Sequence, residues 1–350
     1  LREQLLAPGP VRTAGEALHV EEKVGDDYDV WTDLLSRRAA VLFVLKTVYV
    51  RVLEDRGAIQ PVRLVDVGSQ RLFEQLAPNL GETAYLRWVF RDLASEMGGL
   101  PELFAPQPAE LGTPSDEASR ELLRLWRRTD PDTGELVYRF DGERFDGALM
   151  GDLYQELDPV VKERYALLQT PDFVRDFILD KTLEPAIAEW GASTVRLLDP
   201  ACGSGHFLLE GFRRLVKATA AEQPEWSQRK VVRHALDRVV GIDLNDYACA
   251  LARARLVMLA LELSGSGDIR DAADFEPQVY WADGLEQVER DEEPARQGDL
   301  LTGSFEPHRA SLTRPEVRRV LRGVLAGGFH AVVANPPYIT EKDPARKDYH

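Results

Sequence analysis

Residues 195–208, Val195-Arg196-Leu197-Leu198-Asp199-Pro200-Ala201-Cys202-Gly203-Ser204-Gly205-His206-Phe207-Leu208, commit this part of the chain to one local architecture: an apolar strand, a glycine turn and a helix. Gly203 and Gly205 allow the backbone to come close to a ligand, and the helix that follows opens on free N–H groups. A Gly-x-Gly by itself does not select a ligand, and phosphate or dinucleotide binding is the default. Here Leu208 stands where the dinucleotide fingerprint has its third glycine, and Asp199 with Pro200 precedes the turn. A carboxylate there disfavours a pyrophosphate and suits a cationic ligand.

Downstream, the apolar run Phe329-His330-Ala331-Val332-Val333-Ala334 leads directly into Asn335-Pro336-Pro337-Tyr338. An exocyclic amine on an aromatic ring is a poor nucleophile because its lone pair is delocalised, and two acceptors aimed at its N–H groups draw that pair back onto nitrogen. The Asn335 side-chain carbonyl and the Pro336 backbone carbonyl can supply both, with Pro336 and Pro337 holding the turn rigid. Tyr338 offers a flat face for a base lifted out of a duplex. Taken alone, Asn-Pro-Pro reads equally well as a turn that ends a strand.

Asp199-Pro200-Ala201-Cys202-Gly203-Ser204-Gly205-His206-Phe207, followed by Asn335-Pro336-Pro337-Tyr338, resembles the S-adenosyl-L-methionine-dependent N6-adenine DNA methyltransferases of the gamma arrangement. In that order the cofactor region comes first, the catalytic motif second and target recognition last. The resemblance covers roughly the second half of the chain and implies an α/β fold with a Rossmann-like class I methyltransferase sheet, preceded by a mainly helical region. It implies cofactor contacts from Asp199, Pro200, Ala201, Gly203, Gly205 and Phe207. Val239 to Asn245 reads as a second strand ending in an acid, and the resemblance gives Asp243, with Leu244 beside it, the ribose of the cofactor. The competing reading is a strand that ends in Asp at a helix N-cap. Tyr280 to Leu285 reads as a third strand, whose Asp283 the resemblance places near the adenine ring.

Before the sheet, Thr170 reads as a helix N-cap with Pro171 at the first helical position. In the gamma family a Thr-Pro here closes over the methionine part of the cofactor. The usual Gly and paired Tyr before it are absent, so the carry-over is limited to backbone contacts of Thr170 and Pro171. Gly151-Asp152-Leu153-Tyr154-Gln155-Glu156-Leu157 with Leu167-Leu168-Gln169-Thr170-Pro171 is similar to the adenine methyltransferases of bacteriophage-exclusion (BREX) and phage-growth-limitation systems.

Residues 1–150 read as a helical domain and 151–350 as the cofactor-binding methyltransferase domain. Trp31, Leu34, Leu35, Leu42, Leu45, Tyr49, Val52 and Leu53 recur at helical spacing up to Gly57, and Tyr85 to Met97 and Glu117 to Arg128 behave similarly. Pro101 to Pro114 reads as a loop or hinge, Thr129 to Phe145 as a small hairpin, and Glu286 to Gly298 as a loop. Pro315 opens a helix expected to end at Gly323. Arg37, Arg38, Arg51 and Arg56 read as a solvated helix face in preference to a DNA-backbone contact.

Lys46 and Arg51 interrupt the most apolar helix, so a membrane span is not expected. With no signal peptide and only Cys202 and Cys249, the chain lacks a disulfide framework and a metal-binding pattern, and a reducing cytoplasm is the expected setting. Double-stranded DNA is the partner the resemblance implies, with other defence-system proteins alongside it, yet the net charge is −16. That imbalance, the Leu1 start and the stop twelve residues after Tyr338 lead us to expect a piece of a longer polypeptide. On that expectation the remaining strands and the main DNA-gripping surface lie elsewhere. Three alternatives stay open: a protein glutamine N5-methyltransferase, which faces the same lone-pair problem, a fused restriction-modification enzyme, and a non-catalytic DNA-sensing subunit of a defence complex.

Overall fold

The computed structural model describes residues 1–21, 27–95, 101–107, 109–140, 170–243, 245–266, 268–282 and 315–336. The N-terminal helices are α1 (Arg2–Leu6), α2 (Pro10–Glu21), α3 (Tyr28–Asp55), α4 (Val67–Leu76), α5 (Glu82–Ala94), α6 (Pro101–Phe104) and α7 (Asp116–Trp126). There follow α8 (Asp172–Trp190), β1 (Leu197–Asp199), α9 (His206–Glu222), α10 (Gln228–Leu236), β2 (Val239–Asp243) and α11 (Asp246–Ser264). A 3-10 turn (Ile269–Asp274), β3 (Gln278–Trp281), α12 (Pro315–Ala326) and β4 (Ala331–Val332) complete the order. The expected boundary between residues 150 and 151 lies outside the described residues.

Among the described residues the four strands are parallel, in the order β3-β2-β1-β4, with Leu197 paired to Val239 and to Ala331, and Ile242 paired to Tyr280. Val239 to Ile242 are buried along their length, as a strand covered on both faces must be. One face carries Val240 and Ile242, which join Tyr280, Ala282 and Leu321, with Leu198, Val324, Leu325 and Phe329 packed alongside. The opposite face joins the main core, where Leu197 and Val239 meet residues of α9 and α11 such as Phe207, Phe212, Leu251 and Leu256. Helices on both faces of a parallel sheet give the three-layer α/β arrangement that the resemblance implies.

Helix α12 runs past Gly323 to Ala326, beyond the expected stop. Its last turn is held by Arg196, which donates from Nη2 to the Val324 carbonyl and from Nη1 to the Gly328 carbonyl, both at 2.8 Å, while its guanidinium lies 4.5 Å from the centre of the Phe329 ring. Those bonds satisfy carbonyls that a helix end otherwise leaves open and hold the segment feeding β4 against β1.

The N-terminal helices pack into the same core as the sheet, through Trp31, Leu45, Val52, Tyr85, Leu86 and Phe104. Of the four arginines expected on a solvated face, Arg37 and Arg56 are exposed and the other two are not. Arg51 is fully buried, bonding Glu54 at 2.6 Å and Asp55 at 2.5 Å, and Arg38 is buried as well. Glu54 in turn accepts the Arg63 and Leu64 N–H groups, so the network pins the loop after α3. Lys46 likewise is buried on Glu110 and the Ala105 carbonyl, and burial lowers its pKa. Periodicity alone cannot show this, because the acids that make burial affordable lie across the fold or on the next turn. Breaking such a pair from one side leaves a buried charge uncompensated, so Arg51→Ala is expected to cost about 3–5 kcal/mol. An unchanged denaturant midpoint in chemical unfolding would show instead that Arg51 is dispensable.

The Pro101–Pro114 stretch is also more ordered than a hinge: Pro101–Phe104 is helical, and Leu103 and Phe104 are 1% exposed. The turn around Asp130 is as predicted, with Gly134 N–H bonding the Asp130 carbonyl and Thr129 bridged to Leu136. Among the described residues no helix is long and apolar enough to cross a membrane.

Candidate active site

The carboxyl ends of parallel strands are where the chain turns outward and where an open α/β sheet presents its ligand site. Asp199 ends β1, Asp243 ends β2, and Asn335 follows β4 by three residues. The sheet order makes β1 the neighbour of both other strands, so the motifs of residues 199, 243 and 335 share one edge of the sheet.

After Asp199 the chain makes its glycine turn. Gly203 has φ +52° and Gly205 φ +86°, and Gly205 is the N-cap of α9 in left-handed geometry. A side chain on Gly205 would also lie 3.0 Å from the Ala252 methyl of α11, so both conformation and space require glycine there. Arg255, buried on α11, donates from Nη1 to the Ser204 carbonyl at 2.7 Å and to the Ser204 hydroxyl at 3.0 Å, bracing the turn from below. Beneath it, a Cβ on Gly241 would come 2.5 Å from Leu208 and 3.0 Å from the Cys202 sulfur, so β2 passes under the loop only because residue 241 has no side chain. Gly241 and Arg255 escaped the sequence reading. A glycine inside a strand and an arginine inside an apolar helix were the available signals.

The two acids are drawn into the turn. Asp199 is 1% exposed, and its Oδ1 accepts the Ala201 N–H at 3.1 Å. Asp243 accepts the Gly203 N–H at 2.7 Å on Oδ2 and the Asn245 N–H at 2.8 Å on Oδ1. The N-cap of α11 is Asn245, whose side chain accepts from Tyr247 and Ala248, so Asp243 is not merely a capping residue. Burial, opposed by the Ala201 hydrogen bond and reinforced by the nearby Asp243, pushes the Asp199 carboxyl up to about 8. Burial raises Asp243 as well.

A carboxyl this reluctant to ionise is short of positive charge, and a cationic ligand fits that deficit. The unfolded chain loses the Asp199 proton near 3.8 and the folded chain near 8, so the fold loses stability as pH rises through that interval. Binding a cation favours the carboxylate. A cationic ligand seated there is therefore expected to expel a proton at pH 7 and to bind more tightly as pH rises towards 8. Titration calorimetry in buffers of different ionisation enthalpy measures this directly. Zero net proton release would mean that Asp199 stays neutral beside the ligand.

Thr170 and Pro171 lie at the start of α8, but not as expected. The helix begins at Asp172, and the N-cap is Pro171, whose carbonyl takes the Val174 and Arg175 N–H groups. Thr170 is buried, and its hydroxyl oxygen accepts from Asn335 Nδ2 at 3.0 Å. The fold thus joins residues 165 positions apart, one from the Thr-Pro segment and one from the Asn-Pro motif. The next turn is tied to the glycine loop: His206 Nε2 lies 3.0 Å from Asp172 Oδ1 and 3.3 Å from Arg175. Burial, with Arg175 and Arg255 adding to it, lowers His206 to about 4 and keeps it neutral at pH 7. Phe207 is buried in the core at the first turn of α9, and Pro200 and Ala201 form the half-exposed shoulder of the loop. Pro336 is exposed. The third strand runs Gln278–Trp281, earlier than its expected Tyr280 start, and Leu244, Asp283, Pro337 and Tyr338 lie outside the described residues.

A parallel sheet ordered β3-β2-β1-β4, with a glycine turn after β1, an acid ending β2 and an Asn-Pro after β4, defines a Rossmann-like methyltransferase. Residues 189–272, from the end of α8 into the 3-10 turn, match the family described as the MmeI DNA-methyltransferase domain. The chain is also 35% identical over 350 residues to the adenine-specific methyltransferase PglX of Streptomyces coelicolor. That alignment takes in 90% of this chain and 28% of PglX, so the chain spans little more than a quarter of its relative's length. On fold and relationship together, the chain is similar to DNA methyltransferases.

Proposed function

We propose that this chain carries the cofactor-binding and catalytic part of an adenine-specific DNA methyltransferase, which transfers a methyl group to the N6 amino group of adenine within a specific sequence. The observation that carries the reading is the placement of Asp199, Asp243 and Asn335 at the carboxyl ends of adjacent parallel strands, with Thr170 bonded to Asn335. The relationship to PglX supports adenine as the target and bacterial phage defence of the BREX or phage-growth-limitation type as the setting. We assign the protein to the cytoplasm, with double-stranded DNA and other defence proteins as partners. Nothing in the fold or the relationships favours the glutamine methyltransferase, fused-nuclease or non-catalytic alternatives.

The residues fit S-adenosyl-L-methionine. Gly203 leaves open space where a side chain would stand, and Asp199 is a buried carboxyl in want of a cation. Asp243 spends one hydrogen bond per oxygen on the backbone, which leaves acceptor capacity for a pair of ribose hydroxyls. Leu244 and Asp283 complete the proposed cofactor contacts, with backbone atoms of Thr170, Pro171, Pro200, Ala201 and Gly205 and the Phe207 backbone at the mouth of α9. When bound, the cofactor supplies an electrophilic methyl group.

The chain's own residues prepare the nitrogen. Asn335 Oδ1 and the Pro336 carbonyl accept the two amino protons, which restores the lone pair and stabilises the positive charge that develops as nitrogen is alkylated. Tyr338 stacks on the flipped base, and Pro337 stiffens the turn. Catalysis is then positioning plus electrostatics. Single-molecule sequencing of DNA from cells carrying the full-length gene tests the reading. N6-methyladenine at one short motif, absent when Asn335 is replaced, supports it. Methylation of protein glutamine with unmodified DNA would replace it with the amide-methylating alternative.

A further inference from the structure

We propose that Thr170 is a positioning residue for the reacting amide, its hydroxyl serving Asn335 and not the helix it precedes or the cofactor. This rests on the methyl-transfer reading and concerns how Asn335 is held ready.

A threonine just before a helix normally spends its hydroxyl on the first free N–H groups. Here the N-cap is Pro171, whose carbonyl takes the Val174 and Arg175 N–H groups at 2.9 and 3.0 Å, so Thr170 stands one residue too early for its side chain to cap α8. Pro171 is in extended geometry, and no side chain caps α8. The Thr170 hydroxyl, 7% exposed as a residue, is instead an acceptor for Asn335 Nδ2. Asn335 is only partly buried and sits past the end of β4, so a free side chain would sample several rotamers. A carboxamide also has two orientations that look alike in shape and opposite in chemistry. With Nδ2 donating to Thr170, the carbonyl end is the one left for an incoming amino proton.

The bond also strengthens that carbonyl. Donation from Nδ2 shifts amide electron density towards Oδ1, so the chain Thr170 Oγ1, Asn335 amide, substrate N–H is cooperative. Thr170 is itself held in place, because Asp172, two residues on, contacts His206 at the head of α9. Asn335 is anchored from its own side, since Val333 N–H bonds the Leu198 carbonyl at 2.9 Å. Both partners are therefore fixed to β1 or to the helix that follows it, a rigid base for a single hydrogen bond.

The test uses the full-length protein with Thr170→Val, which keeps the shape and removes the hydroxyl, Thr170→Ser, which restores it, and Thr170→Ala as a second deletion should valine fold poorly. Single-turnover methyl transfer to DNA is expected to fall about tenfold to a hundredfold in the valine variant, the worth of a hydrogen bond at a reacting group. Cofactor Kd should stay within about threefold, and serine should recover most of the rate. In crystals, the Asn335 side chain should keep its rotamer in the serine variant and leave it in the valine variant. A valine variant with the wild-type rate, a loss of rate matched by loss of cofactor affinity, or an Asn335 that does not move would each overturn the proposal. If the wild-type protein methylates no adenine, the adenine reading fails, and the Asn335 rotamer in the crystals decides the positioning role by itself.

Discussion

Asn335→Ala is expected to lower methyl transfer by at least about a hundredfold, the scale set by removing one preorganised hydrogen-bond partner of a reacting group. Cofactor affinity should change by less than about threefold, since Asn335 follows β4 whereas the acids and glycines proposed to hold the cofactor belong to β1, β2 and their loops. The separation of the two effects is the informative part. An asparagine that accepts an amino proton acts most strongly when nitrogen becomes positive, so its loss falls on the rate and spares ground-state binding. Single-turnover rates and titration calorimetry on one preparation give both numbers. Equal loss of rate and cofactor affinity would remove Asn335 from the role of acceptor and make it part of the cofactor site.

Asp243→Ala should show the reverse pattern, with cofactor affinity weakened about a hundredfold or more. Two hydrogen bonds to a charged acceptor are lost, each worth about 1.5–3 kcal/mol. The Gly203 and Asn245 N–H groups also lose their shared partner, so the glycine turn loosens. Asp243→Asn keeps a carbonyl oxygen for one of those N–H groups, sets an NH2 group against the other and removes the charge. Affinity for S-adenosylmethionine, measured by calorimetry alongside thermal unfolding, distinguishes a ligand contact from a purely structural one. Unchanged affinity in the alanine variant would take Asp243 out of the site.

Tertiary packing corrected the local readings at identifiable points. Arg51 is expected on a solvated helix face, yet it is buried with its partners Glu54 and Asp55, because residues 138–140 pack over that turn, the Tyr138 carbonyl accepting from Arg51 and the Phe140 N–H bonding Asp55. Helix α12 passes its glycine because Arg196, more than a hundred residues earlier, satisfies the carbonyls at its end. Arg255 and Gly241 went unnoticed because their work is done across the fold, one beneath the glycine turn and the other under Leu208.

The sequence by itself determined the strand, glycine turn and helix of residues 197–222, the acid at the end of β2 and the asparagine after β4. Those features follow from short-range physics: apolar runs that must be covered, glycines that permit φ > 0, and prolines that stop a strand. Only the tertiary structure decided the strand order, the pairing of buried charges and the partner of Thr170. That hydroxyl had a local offer, the helix beside it, and a distant one, Asn335. The distant one prevailed because α8 takes its N-cap at Pro171, one residue past Thr170, while β1 holds β4 within reach, an outcome that no local stretch of sequence contains.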